Sequence, residues 1–276
     1  MRTAPYRQAG TYATLIAISF LFLLPLIWML RSSLMGLSQI FEMPPVWLPS
    51  PVKWDNFARA LTVLPFDRFF LNTFVIVVAS VAGTALSSTI AAFGFSRIQW
   101  KGRNLVFMIL LTSMMLPGAV TLIPTFIGWR ALGFYDTYYP LVVPAFFGGG
   151  IFNVFLLRQF YMTIPRDFDE AAVVDGASYF QIYWRVILPL SRSAVIVVGL
   201  FTFLGAWNDF FGPLIYLRSE DKFTLALGLQ MFQGTYTSQW DLLMAAASAV
   251  VLPCIAVFLI GQKYFLEGIT LTGLKG

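Results

Sequence analysis

Four stretches of this chain, Tyr12 to Leu30, Phe70 to Phe93, Leu105 to Ile127 and Leu242 to Gln262, contain no Asp, Glu, Lys or Arg. Each is close to the roughly 20 residues that a helix needs to cross a hydrocarbon layer about 30 Å thick at about 1.5 Å per residue. Two further stretches, Tyr138 to Phe160 and Ala194 to Phe211, are apolar but less uniform. Gly148, Gly149, Gly150 and Asn153 dilute the first, and Trp207, Asn208 and Asp209 end the second. The pattern reads as an all-α, polytopic membrane protein with six transmembrane helices.

Composition agrees and removes several function classes. Of 276 residues 58% are hydrophobic and 11% charged, too apolar for an ordinary soluble domain. The net charge of +5 raises nucleic acid as a partner, but the basic residues form no cluster, so none is expected. With no His and a single cysteine, Cys254, the chain has no means for His-based acid–base catalysis, Cys/His metal ligation or an intrachain disulfide. Cys254 lies beside Pro253 in an apolar run and reads as a small packing residue.

Arg2 and Arg7 before the first apolar run resemble the start of a secretion signal. That run is too long, however, and Trp28-Met29-Leu30 leads into Arg31 rather than into small residues, so the segment is expected to stay. Six spans put both termini on one side. Arg2, Arg7, Arg97, Lys101, Arg103, Arg158, Arg166, Arg185, Arg192, Lys263 and Lys275 fall on that side, and the smaller set Arg31, Lys53, Arg59, Arg68, Arg130, Arg218 and Lys222 on the other. The richer side is expected to be cytoplasmic. Two long outer segments follow: a strap, 32–69, kinked by Pro44, Pro45, Pro49 and Pro51, and a loop, 212–241. Without a repeat or low-complexity tract, the chain reads as one membrane domain.

The stretch 161–191, between the fourth and fifth spans, reads as two short soluble helices, and such an insertion needs a partner. Pro165 suits a first helical turn, and Asp167, Asp169 and Glu170 place negative charge at the favourable end of the helix dipole. Gly176 stops that helix. Ser178 and Gln181 form a capping box for a second helix, which Pro189 ends. Phe168, Ala171, Ala172 and Asp175 share one face, and Tyr179, Phe180, Tyr183, Trp184 and Ile187 form an aromatic stripe. A helix pair pressed into a groove of another protein fits this pattern. An amphipathic hairpin lying on the membrane surface fits the periodicity equally.

The run Glu170-Ala171-Ala172-Val173-Val174-Asp175-Gly176-Ala177, followed by Val186-Ile187-Leu188-Pro189, closely resembles the EAA motif of permease subunits in ATP-binding-cassette (ABC) importers. Trp207-Asn208-Asp209-Phe210-Phe211, the run Phe223 to Leu229, the ending Gly273-Leu274-Lys275-Gly276 and the strap with Pro45, Trp47, Leu48 and Pro49 are similar to the smaller permease subunit of maltose-type carbohydrate importers. The resemblance implies that 161–191 is a cytoplasmic coupling-helix insertion docked on an ATPase subunit. Glu170 would make polar contacts there, Ala171 and Ala172 the close-packed face and Gly176 the turn, with Asp175, Tyr179, Phe180, Tyr183 and the tail residue Lys275 alongside. A frayed terminus is the other reading of Lys275.

The implied partners are two ABC ATPase subunits, a second and larger permease subunit (a homodimer remaining open), an extracytoplasmic sugar-binding protein and membrane lipid. The implied location is a prokaryotic cytoplasmic membrane. No cofactor is expected in the chain itself. Its nearest approach to a phosphate loop, Gly268 to Lys275, has Leu274 where the lysine belongs, so ATP and magnesium belong to the partner subunits. In the family the outer loop meets the binding protein, which nominates Gln230, Phe232, Gly234, Thr235 and Tyr236. A merely solvated loop is the alternative. Polar groups at membrane depth nominate Asn153 and Asn208, with Gly149 bending the helix beside them, as a substrate path. Helix–helix hydrogen bonds are the other reading of the two asparagines. An ion-coupled secondary transporter would show related halves and mid-span ionisable residues, and a membrane-embedded enzyme would show a catalytic partner for Asp209; neither pattern is present.

Overall fold

The computed structural model describes the backbone of residues 5–234 and 238–273 and the side chains of residues 10–234 and 238–264. Over these residues the chain is built of helices, and its one β-type pairing is the isolated bridge between Gln233 and Ser238. Helix α1 (Pro5–Ser33) leads into the strap, which carries α2 (Leu37–Ile40) and α3 (Asp55–Val63). Next come α4 (Phe66–Ser96), α5 (Arg103–Ser113), α6 (Gly118–Ala131), α7 (Tyr139–Val142), a 3-10 turn (Val143–Phe146) and α8 (Ile151–Thr163). The stretch 161–191 holds α9 (Asp167–Val174), α10 (Tyr179–Ile182), a π-helical turn (Tyr183–Ile187) and α11 (Leu188–Leu190). Helices α12 (Arg192–Trp207), α13 (Phe211–Tyr216), α14 (Leu225–Gln230) and α15 (Trp240–Gly273) complete the order.

Among the described residues four helical stretches can cross a membrane unaided: Gly10–Ser33, Phe66–Ser96, Tyr139–Thr163 and Trp240–Tyr264. Two bent pairs bring the total to six if each counts as one span. The third expected span is therefore not a single rod, because α5 and α6 meet at 96°. Pro117 cannot donate a hydrogen bond and restricts the residue before it. The end of α5 tightens into i→i−3 bonds from Met114, Met115 and Leu116 before the chain turns. The fifth span ends at Trp207 rather than Phe211 and joins the preceding helix at 78° around Ser191. The fourth is interrupted by Gly148, Gly149 and Gly150, all at positive φ (96°, 60° and 86°), which only glycine adopts at no steric cost.

The chain divides into two compact units, each made from separated segments: Met1–Phe66 with Gly228–Leu252, and Asp67–Leu227 with Pro253–Gly276. In the first, the strap is tied by side chains rather than by regular backbone pairing. Arg31 donates from Nε to the Val46 carbonyl (2.6 Å) and lies 4.2 Å over the Trp28 ring, which meets Trp47 edge-on. Buried Asn56 donates to the carbonyls of Ser33 (2.9 Å) and Met35 (2.8 Å). Beyond its proline kinks the strap carries a nine-residue amphipathic helix, Asp55–Val63, with Asn56 and Ala60 turned inward.

In the second unit, α4 runs 31 residues, about 46 Å at 1.5 Å each, and serves as its central rod. Two of its buried hydroxyls bond back to their own helix: Ser88 donates to the Thr84 carbonyl (2.5 Å) and Thr89 to that of Ala85 (2.6 Å). Such residues satisfy themselves in an apolar setting and leave a thin helix face for close packing. At one end Asn72 donates to the carbonyls of Asp221 and Phe223 (both 2.9 Å). Nearby, Asp136 accepts from the backbone N–H of Arg218 (2.9 Å) and of Ser219 (3.0 Å), from Ser219 Oγ (2.5 Å) and from Lys222 Nζ (2.9 Å). Burial opposes its ionisation, yet the hydrogen bonds from Ser219, Arg218 and Lys222 win and hold its carboxyl well below the usual carboxylate range.

Candidate functional site

The corner at Gly176 is built by its own backbone. Gly176 N–H donates to the Val173 carbonyl and Ala177 N–H to that of Ala172, both at 2.9 Å, while Gly176 sits at φ 79°. This is a Schellman ending with glycine at the left-handed position, and Ala172 and Ala177 both pack against the buried core. Helix α10 then starts at once. Ser178 N–H donates to Gln181 Oε1 (2.8 Å) and Gln181 N–H to Ser178 Oγ (3.4 Å), a complete capping box. Pro165 lies two residues ahead of α9 rather than in its first turn. Nor does Pro189 end the second helix. The π turn just before it widens the backbone where the proline ring would otherwise clash with the carbonyl four residues earlier, and the helix continues to Leu190.

The first helix presents most of the face that the spacing suggested, and the second does not. Phe168, Val173, Tyr179, Phe180 and Trp184 are exposed, and Val174 is exposed to 87%. Glu170, Ala171 and Asp175 are exposed beside them. Tyr183, expected on the outer stripe, is instead 5% exposed, packed on Phe93 and hydrogen-bonded through its hydroxyl to Thr89 Oγ1 of α4 (2.8 Å). Tyr183 and Ile187, four residues apart, lie on the inner face with Ile182, while Trp184 stays out. Ala172 is likewise half-buried against the core formed by Phe93, Leu157, Ile182 and their neighbours. Lys275 lies outside the described residues.

Arg97, just past α4, locks this assembly. Its guanidinium donates to Asp169 Oδ2 (2.9 Å), to the Ile164 carbonyl (2.8 Å) and to the Tyr161 carbonyl, joining α4, the end of α8 and α9 at one point. The sequence shows Arg97 as the first charge after a long apolar run, but its partner Asp169, 72 positions away, carries no local signal.

At the other half of α4, a cavity of about 360 Å³ is bounded by Thr73, Ser80 and Thr84 on α4, Gly149 and Asn153 at the start of α8, and Asp209 beyond α12. Gly149 lies against α4, where a Cβ would come within 2.8 Å of the Thr84 Cα. Asn153 donates to the Gly149 carbonyl (2.5 Å). Asn208, expected at this site, does not reach it. Its amide folds back on the Leu204 carbonyl (2.8 Å) at the end of α12, and the wall position falls to Asp209, whose Oδ1 accepts from Gly212 N–H (3.0 Å). Of the five residues expected at the outer loop, Gln230 and Gly234 are exposed, and Thr235 and Tyr236 lie outside the described residues. Phe232 is 3% exposed and stacks on Phe66 at 5.8 Å, so it packs the loop's base instead of presenting a contact.

Residues 83–270 match the family of the binding-protein-dependent transport system inner membrane component. The chain is 32% identical to the arabinooligosaccharides transport system permease protein AraQ of Bacillus subtilis over 98% of its own length and 96% of the relative's. It is 31% identical to the probable ABC transporter permease protein YurM of the same organism, over 95% and 85% of the two lengths. In fold it is similar to a chain of a crystallised bacterial ABC transporter involved in the import of the acidic polysaccharide alginate, with a TM-score of 0.82 at 24% identity over 96% of this chain and 98% of that one.

Proposed function

The chain belongs to the family of binding-protein-dependent transport system inner membrane components, the multi-pass permease subunits of ABC importers, and from that premise we propose that it carries a sugar or oligosaccharide across a prokaryotic cytoplasmic membrane. ATP hydrolysis belongs to two separate ATPase subunits, and the solute arrives from an extracytoplasmic binding protein. A larger permease subunit completes the membrane pore. The basic residues gathered in the short 97–103 loop and in 161–191 support placing that face, and both termini, in the cytoplasm.

One observation carries the coupling role: a corner with its backbone closed at both helix ends holds Val174, Tyr179, Phe180 and Trp184 out in solvent while its inner side is locked to α4 through Arg97, Tyr183 and Ala172. An apolar set of this kind on a rigid hairpin suits insertion into a cleft of an ATPase subunit. Closure of the ATPases on nucleotide then moves the hairpin and α4 together, exchanging inward-open and outward-open states. Gln230 and Gly234, with Thr235 and Tyr236 beyond the described residues, remain the proposed contact for the binding protein.

Two experiments test this reading. A cysteine at Val174, in a chain with Cys254→Ser, is expected to crosslink to an ATPase subunit in the intact complex, whereas one at Tyr183 is not. Crosslinking of Val174→Cys to lipid reagents alone would overturn the docking. Separately, Gly176→Val is expected to lower solute uptake per ATP about tenfold with membrane insertion retained. Space is open around a Cβ there, so the cost is conformational, about 1–2 kcal/mol for a branched residue held left-handed. Gly176→Asn, which tolerates that region, is expected to stay within about twofold; equal uptake by both variants and the unmodified protein would remove the corner from the mechanism.

A further inference from the structure

We infer that the cavity between α4, α8 and α12 is a subsite for a neutral, hydroxyl-rich part of the transported solute, so that this subunit itself touches the cargo and disfavours anionic cargo. The inference rests on the importer reading above and adds the chemistry of the site.

Three features of the wall support it. Ser80 and Thr224 are 5% and 4% exposed, and neither Ser80 Oγ nor Thr224 Oγ1 has a hydrogen-bond partner among the described residues. Other wall hydroxyls are satisfied: Thr202 donates to the Val198 carbonyl (2.9 Å), and Thr73 donates to the Phe69 carbonyl (2.8 Å) and accepts from Leu225 N–H (2.9 Å). Buried polar atoms left unpaired in this way are uncommon, and rotation of these short side chains toward the cavity lets a ligand or ordered water bearing hydroxyls answer them. Second, among the described residues the one charged group on the wall is Asp209, and no described Lys or Arg lines the cavity. Asp209 Oδ1 is held by Gly212 N–H, and a Cβ at Gly212 would fall 2.4 Å from Oδ2, so glycine there leaves the carboxylate room. Third, about 360 Å³ lies at the lower end of the roughly 300–1,000 Å³ typical of small-molecule sites, suited to one sugar ring rather than a long chain.

The charge decides the class of cargo. At an effective dielectric constant of about 20, a second negative charge about 6 Å from Asp209 is disfavoured by a factor on the order of 100. A carboxylate accepts hydrogen bonds from sugar hydroxyls, while the described wall offers no cation to a uronate, sulfonate or phosphate.

The test uses the intact complex of both permeases, ATPases and binding protein in proteoliposomes, with Cys254→Ser and Ala206→Cys in this subunit. Ala206 lines the cavity without a polar role. A cationic methanethiosulfonate is expected to label the new thiol at least tenfold faster than an anionic one, and Asp209→Asn is expected to bring the two rates within about twofold. During turnover, a neutral oligosaccharide that stimulates ATP hydrolysis is expected to slow labelling at least threefold. Equal rates for the two reagents with Asp209 intact would overturn the inference, and so would absence of protection by a sugar that does stimulate hydrolysis. If no sugar stimulates hydrolysis while another solute class does, the carbohydrate reading itself falls, a result separable from the other two.

Discussion

Replacement of Arg97 by alanine is expected to cut coupled uptake about 100-fold while leaving the protein in the membrane and its ATPase partners able to hydrolyse ATP. The reason is the number of elements that meet at one guanidinium. It serves Asp169 on α9 and the carbonyls of Tyr161 and Ile164 at the end of α8, from a side chain only 4% exposed. Asp169 Oδ1 already lacks a partner among the described residues, so without Arg97 the carboxylate has none. Breaking a buried pair by removing one side costs roughly 3–5 kcal/mol, and partial exposure of Asp169 puts this pair at the lower end. A loss of about 3 kcal/mol is a factor on the order of 100 in the population of the locked hairpin. Arg97→Lys keeps a charge but loses the planar fork that serves three acceptors, and an intermediate loss is expected. Uptake per ATP hydrolysed, measured on the reconstituted complex, is the deciding quantity. Uptake by the alanine variant within about threefold of the unmodified protein would show that α9 is held by other contacts.

The division between what residues reveal locally and what they reveal only in three dimensions runs through this case. The apolar runs, the glycine corner and the Ser178–Gln181 cap are local. Each needs only neighbours within a few positions; the corner and the cap are where the sequence places them, and the apolar runs are helical although two of them are bent. The family pattern in 170–177 and 186–189 was legible for the same reason. What spacing does not convey is which face of a helix is turned inward. Tyr183 and Ile187 share the buried face of Ile182 at ordinary helical spacing, and a stripe drawn through every aromatic position takes in the edge of that face, because spacing alone does not say which side of a helix meets the core. Nor does it convey pairing at long range, as Arg97 with Asp169 and Asp136 with Lys222 both illustrate. Asn208 and Asp209 make the point at closer quarters. Both are polar at the end of an apolar helix, and only the fold shows that the first bonds to its own helix while the second borders the cavity.

Both sites hang on α4. Thr73, Ser80 and Thr84 border the cavity, and Arg97 closes the hairpin lock 13 positions after Thr84, about 20 Å farther along at 1.5 Å per residue. A rod shared in this way lets a displacement of the hairpin reach the cavity wall without a chain of loosely packed intermediates.

That arrangement makes the contact between α4 and Gly149 the place where added bulk does most harm. Gly149→Ala is expected to reduce the folded protein recovered from the membrane by more than tenfold and to abolish uptake by what remains. Two costs act together. At φ 60° an L-residue other than glycine pays about 1–2 kcal/mol, and the new Cβ would lie 2.5 Å from Thr84 Cγ2 and 2.8 Å from its Cα. The methyl group has some freedom to turn aside, but the Cα belongs to a continuous helix and does not. Relief then requires α4 and the start of α8 to separate, which opens packing along both and adds roughly 1–3 kcal/mol. Gly148→Ala supplies the control, because φ there is 96° and nothing lies within 4 Å of its Cβ. That variant bears the backbone cost alone and is expected to fold with a modest loss. Thermal denaturation of the two purified variants in detergent separates the contributions. Equal midpoints would mean that the close approach of α4 and Gly149 is not what holds the cavity in shape.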